Sequence, residues 1–385
     1  MTTFDLLLLA FKGIAVASLP LSLVWLRRPT SRAGDRLRRL AWITAFFTFD
    51  LIVFGGFTRL TDSGLGCPDW PGCYAKANPF MASTDIRSAE SAMPLGPVTM
   101  SKAWIEMIHR YLAMGVGLLI IAMLIVSVMR ARAGREPARP RQVVGLLFLV
   151  IVQGAFGAWT VTQRLQPIFV TTHLLLGLAL FGGLVWHALS LSSARVPMHA
   201  SRLAWMAAAS AVLLTAQIAL GGWVSANYAV LACTEFPKCQ GVWLPDMDFV
   251  NAFHLWRPLG LASDGSFLSI AALTAIHWTH RGFAFVVFIA LSALAWVLRR
   301  QPGLERVAVA LFVLLIVQML TGLVNVVFAW PLLAAVLHNA GAAGLVACVV
   351  VINYGLFQIG SGSRANGLAS SSPEARITPL RQRPV

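Results

Sequence analysis

FGGFTRLTDSGLGCPDWPGC, residues 54–73, decides the fold, because the chain repeats its plan as LGGWVSANYAVLACTEFPKC at residues 220–239. Gly-Gly falls at 55–56 and again at 221–222. A Cys-x5-Cys pair with Pro ahead of its second Cys closes each string, as Cys67/Cys73 and Cys233/Cys239. The correspondence runs on downstream. His-Arg at 109–110 is matched at 280–281, and Ile-Val-Gln at 151–153 is matched at 316–318. A histidine follows each of these glutamines by 20 residues, at His173 and His338. The offset stays between 165 and 171 residues throughout, which marks an internal duplication.

The repeats are embedded in apolar sequence. Hydrophobic residues make up 58% of the 385 positions and charged residues 12%, about half the charge of an ordinary soluble domain. The apolar stretches are continuous and about 20 residues long, so they read as helices that cross a bilayer. Nine spans are expected, at roughly 4–26, 41–60, 103–129, 143–162, 167–190, 203–223, 269–298, 304–328 and 332–357. Lys12 interrupts the first of them, and without that span the N-terminus would change sides.

A net charge of +15 raises the question of a nucleic-acid partner, but its distribution argues against one. Only 4 of the 30 basic residues are Lys, and the Arg residues gather in alternate connections, such as 27–40 and 130–141. That is the positive-inside bias. It places the Arg-rich connections and the C-terminus in the cytosol. The two long loops, 61–102 and 224–268, would then lie outside. No cleavable signal is expected, since no basic region precedes the first apolar run.

Each repeat holds four spans, an even number, so both copies have one orientation and a pseudo-twofold axis along the membrane normal. The expected fold is therefore an all-α integral membrane protein of two tandem four-helix bundles, 41–195 and 203–357. An extra N-terminal helix and its Arg-rich connection occupy 1–40. A Ser/Gly/Pro-rich cytosolic tail, 360–385, is expected to be disordered.

His109, His173, His280 and His338 all lie on spans that run inward, each about 30 Å above the cytosolic boundary at 1.5 Å per residue. Two imidazoles at one height on facing helices can clamp an iron porphyrin, and bundle cores house such cofactors. Ordinary interhelical histidines are the plain alternative, but the duplication and the matched depth favour ligands. A two-metal site would want carboxylates or thiolates beside the histidines, and Glu106 alone offers itself. Arg110 and Arg281, one residue after a ligand, are candidates to pair with haem propionates.

Glu106 shares a helix face with His109, and an intramembrane carboxylate is a functional candidate by default. An ion pair with Arg110 or Arg59 is its structural alternative. The second copy has His277 there, so the halves match as cages and differ in chemistry, as if one haem were worked on and the other did the work. Cys67–Cys73 and Cys233–Cys239 are expected to be disulfides on the oxidising side, a better fit than zinc for Cys-x5-Cys without a neighbouring His. Whether they also exchange electrons is open. Cys348 reads as a core residue, His187, His199 and His254 as solvated, and Gln153 and Gln318 as interhelical.

GGFTRLTDSGLGCPDWPGC, with EMIHR at 106–110 and TTHLLLG at 171–177, resembles the haem A synthase family over nearly all of residues 41–357. The resemblance implies an eight-helix core, from which the first span departs. It implies oxidation of the C8 methyl of haem O to the formyl group of haem A, for cytochrome oxidase. It also implies that His280 and His338 ligate a resident haem B, that His109 and His173 flank the haem O site, and that Glu106 stands near the reacting methyl. A haem O synthase and cytochrome oxidase assembly factors would be its partners; the electron donor is not legible. A di-haem electron carrier between quinone and an acceptor is the rival reading, and it would need no Glu106. A transporter would place its polar groups near the midplane.

Overall fold

The computed structural model describes residues 1–26, 35–192 and 201–369, apart from the side chains of 35, 201–202 and 357–369. The helices are α1 (Thr3–Leu26), α2 (Asp35–Leu60), α3 (Ser83–Ala92), α4 (Met100–Arg132), α5 (Pro140–Thr162), α6 (Pro167–Ser190), α7 (Ser201–Ala226), α8 (Phe249–Ala252), α9 (Ile270–Leu298), α10 (Glu305–Val327) and α11 (Leu332–Ala369). Among the described residues there is no strand, and 9 helices, all but α3 and α8, are long and apolar enough to cross a membrane. They coincide with the nine expected spans. The chain is a multi-pass membrane protein.

Local sequence sets the helix starts. Thr99 and Ser269, at corresponding places in the two halves, cap α4 and α9 by accepting the N–H of Lys102 (3.3 Å) and Ala272 (3.1 Å), each contributing about 1 kcal/mol. Pro140 and Pro167 open α5 and α6, where a missing N–H costs nothing. α11 continues to Ala369, past residue 360 where a disordered tail was expected; residues 370–385, with Arg27, Arg28, Arg32, Arg195 and His199, lie outside the described residues.

In the first half α2 packs on α4, α4 on α5, α5 on α6 and α6 back on α2, a closed ring of four. α7, α9, α10 and α11 close a second ring in the same order. α1 stands outside the rings, against α4 and along α2. Below the histidines, toward the Arg-rich ends, Leu40, Leu119, Met123, Leu184, Leu291, Leu311 and Ile352 form one dry core shared by both rings.

The rings meet through α2 and α6 on one side and α7 and α11 on the other. The contacts are reciprocal. Gly56 lies against Asn339, and its counterpart Gly222 against Thr171 and Leu174. Arg59 donates to the carbonyl of Ser225 (2.5 Å) and Tyr228 donates to Asp62 (2.7 Å), each pair 166 residues apart, so positions meet their own counterparts. The Arg59 guanidinium also sits 4.0 Å over the Tyr228 ring. Burial, with the bond to Asp62, holds the Tyr228 phenol above its ordinary value, so it remains the donor.

His187 departs from expectation. It is 1% exposed rather than solvated, with Nδ1 2.9 Å from Oε1 of Gln142, an oxygen it shares with Ser190. The start of α5 closes over the end of α6, a packing that a lone histidine near a helix end does not reveal. His254 is exposed and Cys348 packs at the edge of the core.

Candidate functional site

Each of the four histidines is seated on a glycine of the helix before it in its ring. A methyl group added at Gly55 would lie 2.9 Å from His109 Nε2, and one at Gly221 would lie 2.9 Å from His280 Cε1. The same addition at Gly157 or Gly322 would come within 3.2 Å of Cε1 of His173 or His338. Only a residue without Cβ leaves the rings this room. Within each ring of helices the two imidazoles are in electrostatic reach of one another, His109 with His173 and His280 with His338. The first glycine of each Gly-Gly pair is thus a histidine seat, and the second is a point of close helix approach. Gly157 and Gly322 were not legible as seats, although they stand 165 residues apart, at the repeat offset. Among the described residues no three His, Cys, Asp or Glu gather as a metal cluster; the histidines come in twos.

The supports behind the rings differ between the halves. Gln217 on α7 places Nε2 3.1 Å from His280 Nδ1 and donates to the His280 carbonyl at 3.2 Å. Thr321 Oγ1 on α10 donates to Val317 and lies 3.0 Å from His338 Nδ1, free to accept its proton. The first half has Leu51 and Phe156 at these two places. There Gln153 joins α5 to α6 by donating to the His173 carbonyl at 3.0 Å, while His173 Nδ1 is buried without a hydrogen-bond partner. His109 stacks on Phe54 with ring centres 6.4 Å apart. Sequence reading passed over Gln217 and Thr321; the signal was a polar residue in one copy facing an apolar one in the other.

Glu106 is buried and fully engaged. One oxygen pairs with Arg110 and the other accepts the Cys67 N–H at 2.8 Å. Arg110 in turn donates to the carbonyls of Asp69 (2.9 Å), Pro71 (3.3 Å) and Gly72. Arg59 pairs with Asp62 instead. Both expected disulfides are formed, and each loop is tied off alike. Asp69 accepts from the N–H groups of Tyr74 (2.7 Å) and Ala75 (2.6 Å), and its counterpart Glu235 accepts from Gly241 (3.2 Å). Arg281 repeats Arg110 by donating to Pro237 (3.0 Å) and Lys238 (3.4 Å), but its Nη1 is buried without a partner, and so is Nδ1 of His277 beside it. The arginines expected to meet propionates therefore grip the Cys loops of their own halves, and Arg281 alone keeps a buried donor unused.

A family model described as cytochrome oxidase assembly protein, COX15-CtaA, matches residues 38–350. A protein of Shewanella oneidensis named heme A synthase is 38% identical over 332 residues, covering 84% of this chain and 99% of its own. Proteins of the same name from Erythrobacter litoralis and Caulobacter vibrioides are 31% and 30% identical, over 80% and 82% of this chain and 94% and 95% of theirs. The repeats, the paired histidines and the Cys loops all fall inside the matched region, and the chain belongs to the COX15-CtaA family of cytochrome oxidase assembly proteins.

Proposed function

We propose that this chain is a haem A synthase, an oxidoreductase that converts the C8 methyl of haem O to a formyl group in two successive oxidations through an alcohol. Haem B resides in the C-terminal half on His280 and His338, and haem O enters the N-terminal half between His109 and His173. The observation that carries the reading is the two pairs of imidazoles, each ring seated on a glycine whose added methyl would crowd it. The names of the relatives point to the same activity. When bound, the resident haem supplies the redox chemistry that side chains lack.

The residues of this chain bind and orient. Thr321 can accept the Nδ1 proton of His338, which would leave that ring's Nε2 for the iron, and Gln217, beside His280 Nδ1 and on the His280 carbonyl, fixes the plane of the other ring. Leu51 and Phe156 offer no such partner to the Nδ1 atoms of the first pair, where Gln153 instead lies 3.5 Å from His173 Nε2, and this looser support suits a haem that must come and go. Arg281 Nη1 is the donor left for a carboxylate of the resident haem. Glu106 keeps a negative charge at the outer edge of the substrate half, where it can offset positive charge or take a proton as the methyl is oxidised. The positive-inside bias supports outer, periplasmic Cys loops and a cytosolic C-terminus in an inner membrane. A haem O synthase and cytochrome oxidase assembly factors would stand before and after this step.

Haem extraction and mass analysis of the purified protein, made with and without a haem O-producing partner, test the function. Haem B alone without the partner, then haem A or its alcohol precursor with it, is the expected result. Two unmodified haem B per chain in both preparations would instead indicate a di-haem electron carrier. Gly221→Ala tests the seat: its methyl meets the His280 ring at 2.9 Å, and haem B affinity should fall at least about tenfold, as for lost ligand supports. Gly117→Ala, with nothing within 4 Å of the added methyl, should titrate with haem as the parent does.

A further inference from the structure

α1 lies outside the residues that the family model matches and outside the repeat, yet its two charged side chains, Asp5 and Lys12, turn inward. Asp5 is 2% exposed and accepts the N–H of Ala77 at 3.2 Å. Lys12 donates to the Ala77 carbonyl at 3.3 Å and to the Tyr111 hydroxyl at 3.1 Å, and that hydroxyl donates to the same carbonyl at 2.7 Å. Both backbone groups of one residue, at the far end of the first Cys loop, are therefore held by a single accessory helix. Docking alone does not require this. Leu9, Gly13, Ala17 and Val24 already give α1 a buried apolar face, and a carboxylate and an ammonium make a helix costly to insert.

The second half supplies the contrast. Trp243 is the counterpart of Ala77, and it is 67% exposed where Ala77 is 0% exposed. Its carbonyl accepts from Trp278 of its own half at 3.3 Å. From Ala77 the restraint passes back through the loop. Lys76 exchanges two backbone hydrogen bonds with Cys73 (2.9 and 3.0 Å), Gly72 and Asp69 hold Arg110, and Cys67 holds Glu106.

We infer that Asp5 and Lys12 are positioning residues: α1 clamps Ala77 and so fixes the Cys67–Cys73 loop against the Glu106–Arg110 pair, giving the first half a rigid outer wall that the second half lacks. The consequence for catalysis rests on the role proposed for Glu106; the clamp itself does not.

The test uses the full chain, oxidised and purified in detergent, carrying Asp5→Asn with Lys12→Met. A short dithiothreitol pulse is followed by maleimide trapping, and the modified cysteines are assigned by mass. Thiol release at Cys67 and Cys73 should rise at least about fivefold, because local opening sets that rate, while release at Cys233 and Cys239 stays at the parent value. Lys12→Leu serves as a second variant. It makes α1 more apolar and easier to insert, so a loop-selective rise there too excludes a folding defect as the cause. Unchanged release at the first loop in both variants, or equal acceleration of both loops in both variants, overturns the clamp. Thiol release involves no haem, so that failure would leave the proposed function standing. A protein that releases thiols as expected but never converts haem O would count against the function and not the clamp.

Discussion

His338→Ala protein should retain at least about tenfold less haem B than the parent, whereas His109→Ala should keep its haem B and fail to convert haem O. The first-order reason is ligand number: removing an imidazole would take away one of the two side chains that would hold the haem iron, and losing even the support behind a metal ligand costs about 10–100-fold in affinity. The split follows from the supports. His338 and its mate His280 have polar partners at Nδ1 in Thr321 and Gln217, and so are built to hold. His109 has a stacked Phe54, and its mate His173 has a buried Nδ1 without a partner. Haem content by extraction and haem A formation in cells that supply haem O read the two effects separately. The reverse pattern, haem B lost with His109 and kept without His338, would exchange the roles of the two halves.

Arg110→Gln should be the most destabilising single change at the outer face, and adding Glu106→Gln should restore most of the loss. The side chains of Arg110 and Glu106 are 10% and 5% exposed. Breaking such a pair from one side leaves a buried charge uncompensated, at about 3–5 kcal/mol, while replacing both partners is far milder. The double-mutant cycle, read as unfolding in mixed micelles, gives the coupling. It also separates the two meanings of Glu106. With Glu106→Gln the carboxamide oxygen can still accept the Cys67 N–H and no buried charge is left without its partner, so the double variant should be clearly more stable than Arg110→Gln alone, short of the parent by the lost loop-carbonyl bonds. If the carboxylate serves the oxidation, that stable protein still fails to make haem A; normal conversion by it would reduce Glu106 to a structural role.

The membrane spans and the two pairs of glycine-seated histidines were legible because each rests on a strong, local signal. Continuous apolar runs of spanning length leave helices as the only economical fold in a bilayer, and the duplication named the histidines twice. What escaped was contact across helices. The seats Gly157 and Gly322 carry no side chain to advertise a function, and the Nδ1 partners Gln217 and Thr321 matter because their counterparts are Leu51 and Phe156. That difference becomes readable once the rings of helices are known. The engagement of Arg110 and Arg281 with loop carbonyls was not foreseen because a guanidinium beside such a histidine has two natural acceptors to meet, a propionate or a peptide oxygen, and sequence does not choose between them. α1 was read as an addition; that its Asp5 and Lys12 reach one alanine 65 residues past that lysine needed the fold.

The meeting of Arg59 with Ser225 and of Asp62 with Tyr228 bears on which halves pair. Because counterpart positions face one another, two N-terminal halves brought together in the same way would set Arg59 against Arg59 and Asp62 against Asp62. Two C-terminal halves would set Ser225 against Ser225 and Tyr228 against Tyr228, without either charge. The mixed pair alone gives the guanidinium a carbonyl and an aromatic face, and the carboxylate a phenol. Like charges opposed in a membrane-edge contact are a penalty, and selectivity between similar surfaces is built from penalties as much as from attractions. A duplicated unit with this arrangement favours an N-terminal half against a C-terminal half over two like halves, whichever chain supplies them.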